Sequence, residues 1–516
     1  MGDRDEEPNE AIQPRGGERS DNERAATPGP VLHQVSKVFR WRLRLHHRWP
    51  AVFSEPGLNT MLDLHRRRDV EKNTESALPA GLEIRIEATW VAEVYPPTLI
   101  SNLYKDLERL DWNRDPSRLD GAAVTEFITR QRESIQGGGW LNLGLILRLA
   151  DSRFLGGHRR AKLPAGIDHA MGGIHFPTAS LAVIVITFVL DKTKARRIHD
   201  ALTRTYRTEV RRVGIGYAFD EPPERRKMES RFERASVRSA CRDWIAANLH
   251  GSFSEDRPKK RHPCAELVTA SSGLLIGEKD DKFWSPGRVL GFDREWSSWE
   301  SQDDVRVRMS IESAEDAGAD VVLNVDRNLA VTAAKKASYG MPEPAEFLNL
   351  RVSAFMAVWS LHRLIGRLET GLAKIRDSLL KSAKRSDRRG ALKRLRDVHD
   401  VVLSASPDVR VITADLEDLA HDRGISVRES IDFKAVDPSV HGEGEFLEGL
   451  VKALAVRARK LRDRESELQD LLVVDATTKN AIASMELQWS FGVWGILVGL
   501  LGTLIGLAGV AIALFK

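Results

Sequence analysis

Cysteine, charge imbalance and catalytic motifs are all scarce in this chain. Its 516 residues hold two cysteines, Cys241 and Cys264, which excludes a disulfide scaffold and a four-thiolate zinc site and fits a reducing compartment. Lys and Arg number 78 against 74 Asp and Glu, a net charge of +4, so no global field draws nucleic acid, and none is expected as a partner. The stretch QGGGW, Gln136 to Trp140, lacks the Lys-Ser/Thr of a phosphate loop, and no GxGxxG follows a strand pattern. No nucleotide cofactor is expected.

Metal and nucleophile patterns are missing too. His46 and His47 are adjacent in a strand-like stretch, which sends their rings to opposite faces. Glu278, Asp280 and Asp281 lack the spacing and the glycine of a calcium loop. Cys241 and Cys264 could be joined by His250 and His262, but the spacing matches no zinc finger. The chain is therefore not expected to be an enzyme, and no catalytic, cofactor or metal residue is assigned.

Long apolar runs are absent with one exception. Phe491 to Phe515 is 25 residues without a charge, enough at about 1.5 Å per residue to span a hydrocarbon core of roughly 30 Å. One C-terminal transmembrane helix is expected, with Trp489 and Trp494 in the interfacial belt at one end and Lys516 reaching head groups at the other. Gly492, Gly495, Gly499, Gly502, Gly506 and Gly509 recur at alternating spacings of three and four. That period places all six on one stripe, where small residues let helix backbones approach in lipid, so self-association through this helix is expected. The opening segment 1–30 is rich in charge, Pro and Gly and is expected to be disordered. It shows no signal-peptide pattern, and Glu6 breaks the myristoylation pattern, so the bulk of the chain is expected in the cytoplasm.

Before the apolar run, Phe446 to Gln488 reads as a long helix, with Leu447, Val451, Leu454, Ala458, Leu461, Leu468 and Leu472 at helical spacing and Glu465 interrupting the series. A second long helix is predicted from Phe347 to Leu380, after Pro342 and Pro344. The basic run Lys381 to Asp397 then joins them as the tip of a bundle or coiled-coil stalk. This plan of an α/β body, a helical stalk and a C-terminal membrane helix resembles in outline the CorA-type magnesium channels. That family carries two membrane helices and a Gly-Met-Asn signature after the first. Here there is one such helix, and the Gly-Met pair, Gly340 and Met341, precedes Pro342. The resemblance implies ion conduction.

The first half has a different texture. FRWRLRL, Phe39 to Leu45, and LEIRIEATW, Leu82 to Trp90, alternate with period two and are predicted to pair, arginines opposite Glu83 and Glu87. Leu141 to Leu149 alternates as a strand, and Ala179 to Leu190 reads as a strand buried on both faces. Asp191 is placed to cap a helix whose inner stripe is Ile198, Leu202, Tyr206 and Val210. Phe219 to Ser236 reads as a polar linker, and Asp304 to Glu312 and Asp320 to Val325 as strands.

The expected fold class is therefore an α+β cytoplasmic body, ferredoxin-like in outline, then a helical stalk and one transmembrane helix. The expected divisions are 1–30, an α+β domain 31–215, a second small α/β region 216–340, a bundle 341–488 and an anchor 489–516. The expected role is a tethered, oligomerising sensor, scaffold or effector whose partners are the bilayer, a second copy and an unidentified protein. The alternative is a pore or ion-conducting protein built on the glycine-striped helix.

Overall fold

Near the centre of the sheet lies β1 (Ile84–Tyr95). The computed structural model describes residues 56–514, apart from segments 115–122, 135–137, 152–157, 214–215, 255–261, 274, 276–285, 291–297, 313–319, 337–342, 384–406, 422–424 and 442–443. The tail 1–30, the strand expected at Phe39 to Leu45, His46, His47, Glu278, Asp280, Asp281, Gly340, Met341, the basic run past Ala383 and Lys516 lie outside the described residues.

Ten strands form one mixed sheet in the order β12-β9-β10-β11-β8-β1-β5-β4-β2-β3. Their ranges are β2 (Trp140–Arg148), β3 (Arg159–Ala161), β4 (Ile167–His175), β5 (Ala182–Leu190), β8 (Cys264–Ala270), β9 (Ser298–Ser301), β10 (Val307–Glu312), β11 (Asp320–Asp326) and β12 (Phe433–Ala435). Neighbours are antiparallel except β8 with β11 and β2 with β3. β1 lies between β5, which pairs with Ala88–Tyr95, and β8, which pairs with Ile84–Val91; the expected pairing with Phe39 to Leu45 falls outside the described residues. The strands after residue 263 continue the same sheet rather than starting a new one.

Both faces of the sheet are covered. On one lie α2 (Ile100–Arg109), α3 (Val124–Glu133), α4 (Lys192–Thr203) and α5 (Pro222–Asn248), packing Leu103, Ile128, Ile198 and Cys241 against Ile84, Ile86, Val91 and Tyr95 of β1. On the other lie α7 (Pro344–Ala383), α8 (residues 407–421) and α9 (Phe446–Leu514), packing Val352, Phe355, Ile412, Leu416 and Leu454 against Ala88, Trp90, Ala92 and Val94. The ferredoxin-like outline, with helices on one face only, is thus corrected to a three-layer arrangement. The reason is visible in β5, whose nine residues are all buried: a strand with two apolar faces needs a layer on each. Asn349 of α7 ties the layers together, accepting from Trp90 Nε1 at 3.3 Å and Thr187 Oγ1 at 2.6 Å. Asp408 and Asp415, two turns apart on α8, accept from the backbone N–H and hydroxyl of Thr98 and Ser180 and fix α8 to the sheet's end.

The expected linker Phe219 to Ser236 is corrected to the first half of α5, a 27-residue helix. Its inner stripe there is polar: Arg226, Ser230 and Arg234, four residues apart, are all buried through hydrogen bonds, so hydrophobic periodicity is absent from a stripe that is nonetheless internal. Asp191 caps α4 as expected, accepting from Lys194 N at 2.7 Å. That helix stops at Thr203, however, so Tyr206 and Val210 are not on it; Val210 belongs to a hairpin.

The hairpin, β6 (Glu209–Val213) with β7 (Gly216–Asp220), and helix α1 (Pro56–Arg67) make a separate small unit. Within it His65 stacks on Phe219 at 4.5 Å, and Arg211 pairs with Asp220 at 2.8 Å.

Candidate functional site

Among the described residues, the far part of α9 carries a row of exposed large apolar side chains. Its inner stripe, Leu447, Val451, Leu454, Ala458, Leu461, Glu465 and Leu468, is buried in the bundle at heptad-like spacing. Glu465 holds its place in that seam because Arg410 Nε lies 3.5 Å away and Gln469 donates to its carboxylate. Beyond Leu468 the helix runs on, and the described side chains turn outward: Trp489 is 78% exposed, Phe491 71%, Trp494 66%, Ile496 67% and Val498 68%. Withdrawing these five from water is worth on the order of 10 kcal/mol. A Cβ added at Gly492, Gly495, Gly499 or Gly502 would meet nothing within 4 Å, so the described part of the glycine stripe faces open space. Gly506 and Gly509 lie on the same helix, with side-chain surroundings outside the described residues. Among the described residues no helix is long and apolar enough to cross a membrane, and the described side chains of the apolar run end at Thr503.

Inside the body, buried polar clusters gather at residues that belong to no motif. Glu93, fully buried on β1, accepts at Oε1 from the N–H groups of Val94 (2.9 Å) and Phe253 (2.8 Å). At Oε2 it meets Ser254 N (3.0 Å), Ser254 Oγ (2.6 Å) and His262 Nε2 (2.9 Å). Ser254 Oγ is also 3.1 Å from that same Nε2. A serine, a histidine and a glutamate therefore meet, but as a triangle on one imidazole nitrogen. A charge relay needs both nitrogens in line, so this is a structural knot rather than a nucleophilic triad.

Asp106, buried on α2, forms a second cluster beside it. Its Oδ2 accepts from Tyr95 Oη at 2.9 Å and His250 N at 2.6 Å, and its Oδ1 lies 2.6 Å from His250 Nδ1. Burial, then the nearby Glu93 and Asp106 charges, push the Tyr95 phenol well above its usual range. Burial likewise pushes the Cys241 thiol well up, with Cys264 adding to it, so Cys241 is not poised as a thiolate. The imidazoles of His250 and His262 are turned to Asp106 and Glu93, and among the described residues no three His, Cys, Asp or Glu side chains are grouped to hold a metal ion.

No known family model matches this chain, and no curated protein matches its sequence. The site must be judged on its own geometry.

Between the two long helices, Arg457 of α9 reaches Glu369 of α7 at 2.7 Å and donates to His362 Nδ1 at 3.0 Å. Below them a cavity of about 50 Å³, lined by Leu372, Arg376, Arg464 and Leu468 among others, has room for a water but not a substrate. Burial and then Arg457 lower the His362 pKa to about 4, so the folded protein holds this imidazole neutral, as an acceptor. A depressed histidine contributes stability that is whole above its unfolded pKa of about 6.5 and lost as pH falls through the folded value. Its loss over that window should be about 2 kcal/mol after allowance for partial exposure. Melting curves between about pH 7 and pH 4 should show His362→Gln, which keeps an acceptor for Arg457, losing less stability than wild type; equal slopes would refute the role.

Proposed function

We propose that this chain is a C-terminally tethered membrane protein that self-associates and presents its three-layer α/β body as a sensor, scaffold or effector. The observation that carries this reading is the outward row of large apolar side chains on α9, Trp489 to Val498, on a helix that starts inside the body's own core at Leu447. An exposed contiguous apolar surface of this kind marks a membrane or protein interaction site. The charge-free run to Phe515 has the length a bilayer needs. Continuity of the helix then couples the body rigidly to whatever the apolar segment enters. Among the described residues the buried polar clusters at Glu93 and Asp106 are closed hydrogen-bond knots, and the exposed apolar row supports a binding role.

Full-length protein mixed with liposomes should float with them and resist alkaline carbonate, whereas Leu497→Lys with Val498→Lys should be released; a wild type that washes off rejects the tether. Crosslinking of the floated protein reports self-association, and Gly499→Leu with Gly502→Leu should reduce it. The open stripe at Gly492, Gly495, Gly499 and Gly502 also suits a second reading, an ion-conducting assembly. Conductance across the same vesicles would select that reading over a simple anchor.

A further inference from the structure

Several arginines of the body rest on carboxylates. Arg234 pairs with Glu266, Arg457 with Glu369, and Arg327, which opens α6 (Arg327–Lys336), meets Glu87 at 2.8 Å. Arg226 on α5 does not. It is only 2% exposed, and among the described residues its Nη1 donates to Ser76 Oγ and its Nη2 to Asn73 Oδ1 at 3.4 Å and Arg204 O at 3.2 Å. All three acceptors are neutral. A guanidinium has five N–H donors, so at least two are left over, and the buried Nε is one of them. Burial lowers the pKa of Arg226, the mark of a charge held without compensation. A buried ion calls for a counter-ion or for loss of its charge, and arginine keeps its charge.

The surroundings add positive charge instead. Tyr206, itself buried, has the guanidinium carbons of Arg225 and Arg226 each 5.9 Å from its ring, and the charges acting on its hydroxyl are those of Arg204, Glu229, Arg226 and Arg225. Contact with the ring steadies two of these cations but neutralises neither. Three guanidiniums therefore stand around Tyr206 against one carboxylate, and Glu229 exerts no effect on Arg226 itself. Arg204 is exposed and Arg225 half-buried, so the group leads from solvent inward to Arg226. Asn73, on the short helix Asp69–Glu75, fixes the wall by donating to Tyr206 O at 2.8 Å and accepting from Tyr206 N at 3.0 Å.

We propose that Arg226, with Arg225 and Arg204, binds a doubly charged oxyanion of the phosphate class, either free or carried on a small organic molecule. A guanidinium presents its N–H donors in a planar fork that fits phosphate oxygens, and two negative charges match the local excess. The site gives the body a ligand, and it stands whether or not the chain enters a bilayer.

Equilibrium dialysis of the full-length protein against radiolabelled inorganic phosphate, at an ionic strength held constant with chloride, tests this. Wild type should bind one phosphate per chain. Arg226→Gln should weaken binding about tenfold to a hundredfold, and Arg226→Lys, which keeps the charge but loses the fork, about tenfold. Arg225→Gln should weaken it about threefold to tenfold, and this variant covers the case in which the Arg226 variants do not fold. Stronger competition by glycerol 3-phosphate than by unlabelled phosphate would support the site with an organic phosphate as its ligand, and weaker competition would support it with the free ion. No saturable binding by wild type, displacement by chloride at equal concentration, or unchanged affinity in either folded Gln variant would overturn the proposal.

Discussion

Glu266→Ala is expected to cost the body about 3–5 kcal/mol, because it takes the carboxylate from one fully buried and one partly buried guanidinium group. Glu266 sits on β8 with its side chain 1% exposed, beneath α5, where Arg234 (1% exposed) and Arg238 (13% exposed) both pair with it, Arg238 at 3.1 Å. Arg234 also donates from Nη1 to Leu290 O at 2.6 Å. Removing the carboxylate leaves like charges facing each other where Arg234 is out of reach of water and Arg238 is largely so. Replacing all three residues with Leu and Met of similar volume removes the charges together and should cost far less, or nothing. Urea unfolding measures both. A small penalty for Glu266→Ala alone would mean that the triad is hydrated, and a triple variant as damaged as the single one would mean that its value lies in packing.

Glu93→Ala should be as severe, at about 3–5 kcal/mol, for a different reason. Its carboxylate collects three backbone N–H groups, the Ser254 hydroxyl and His262 Nε2. Alanine would orphan the three backbone N–H groups, leave the Ser254 hydroxyl and His262 Nε2 only each other and Leu249 O, and open a cavity. Gln keeps the volume but turns an amide donor toward donors, so Glu93→Gln should lose about 1–3 kcal/mol despite being nearly isosteric. The turn that supplies these donors tolerates no side chain at Gly251, where a Cβ would lie 2.6 Å from Glu93 Cγ and 2.6 Å from Val94 O. Equal stability of Glu93→Gln and wild type in urea would show that the carboxylate is not the organising charge.

Elements with a local signal were legible in the sequence. ASLAVIVITFVL could hardly be anything but a strand with two dry faces, and Asp191 before Lys192 carried its cap in plain view. The two long helices followed from Pro344 and from the stripe beginning at Leu447. What stayed hidden was hidden for physical reasons. β4 reads IDHAMGGIH, in which two glycines dilute the alternation; at Gly172 a Cβ would press on Leu143 and Ile186, at 3.1 Å and 3.2 Å, so the missing side chain is a packing requirement, not a turn signal. The inner stripe of the first half of α5 is made of arginines and a serine, which hydropathy scores as surface. Bulges at Glu87 and Asp168 leave no mark on composition, yet they reverse which face each later residue meets: Ile84 and Ile86 join one core, Ala88 and Trp90 the other. The polar knots are harder still, since Glu93 and His262 are 169 positions apart and only the fold brings them together.

One consequence of α9 being unbroken concerns torsion. A rod of 69 residues, about 100 Å long, has a fixed angular phase from its first turn among the aromatic rings of Trp299 and Phe355 to its last. Lengthening or shortening it by a single residue between Leu468 and Trp489 would swivel the whole upper half by about 100° relative to the lower. Azimuth, not just distance, is therefore written into this chain, and twist is a signal such a shaft can carry.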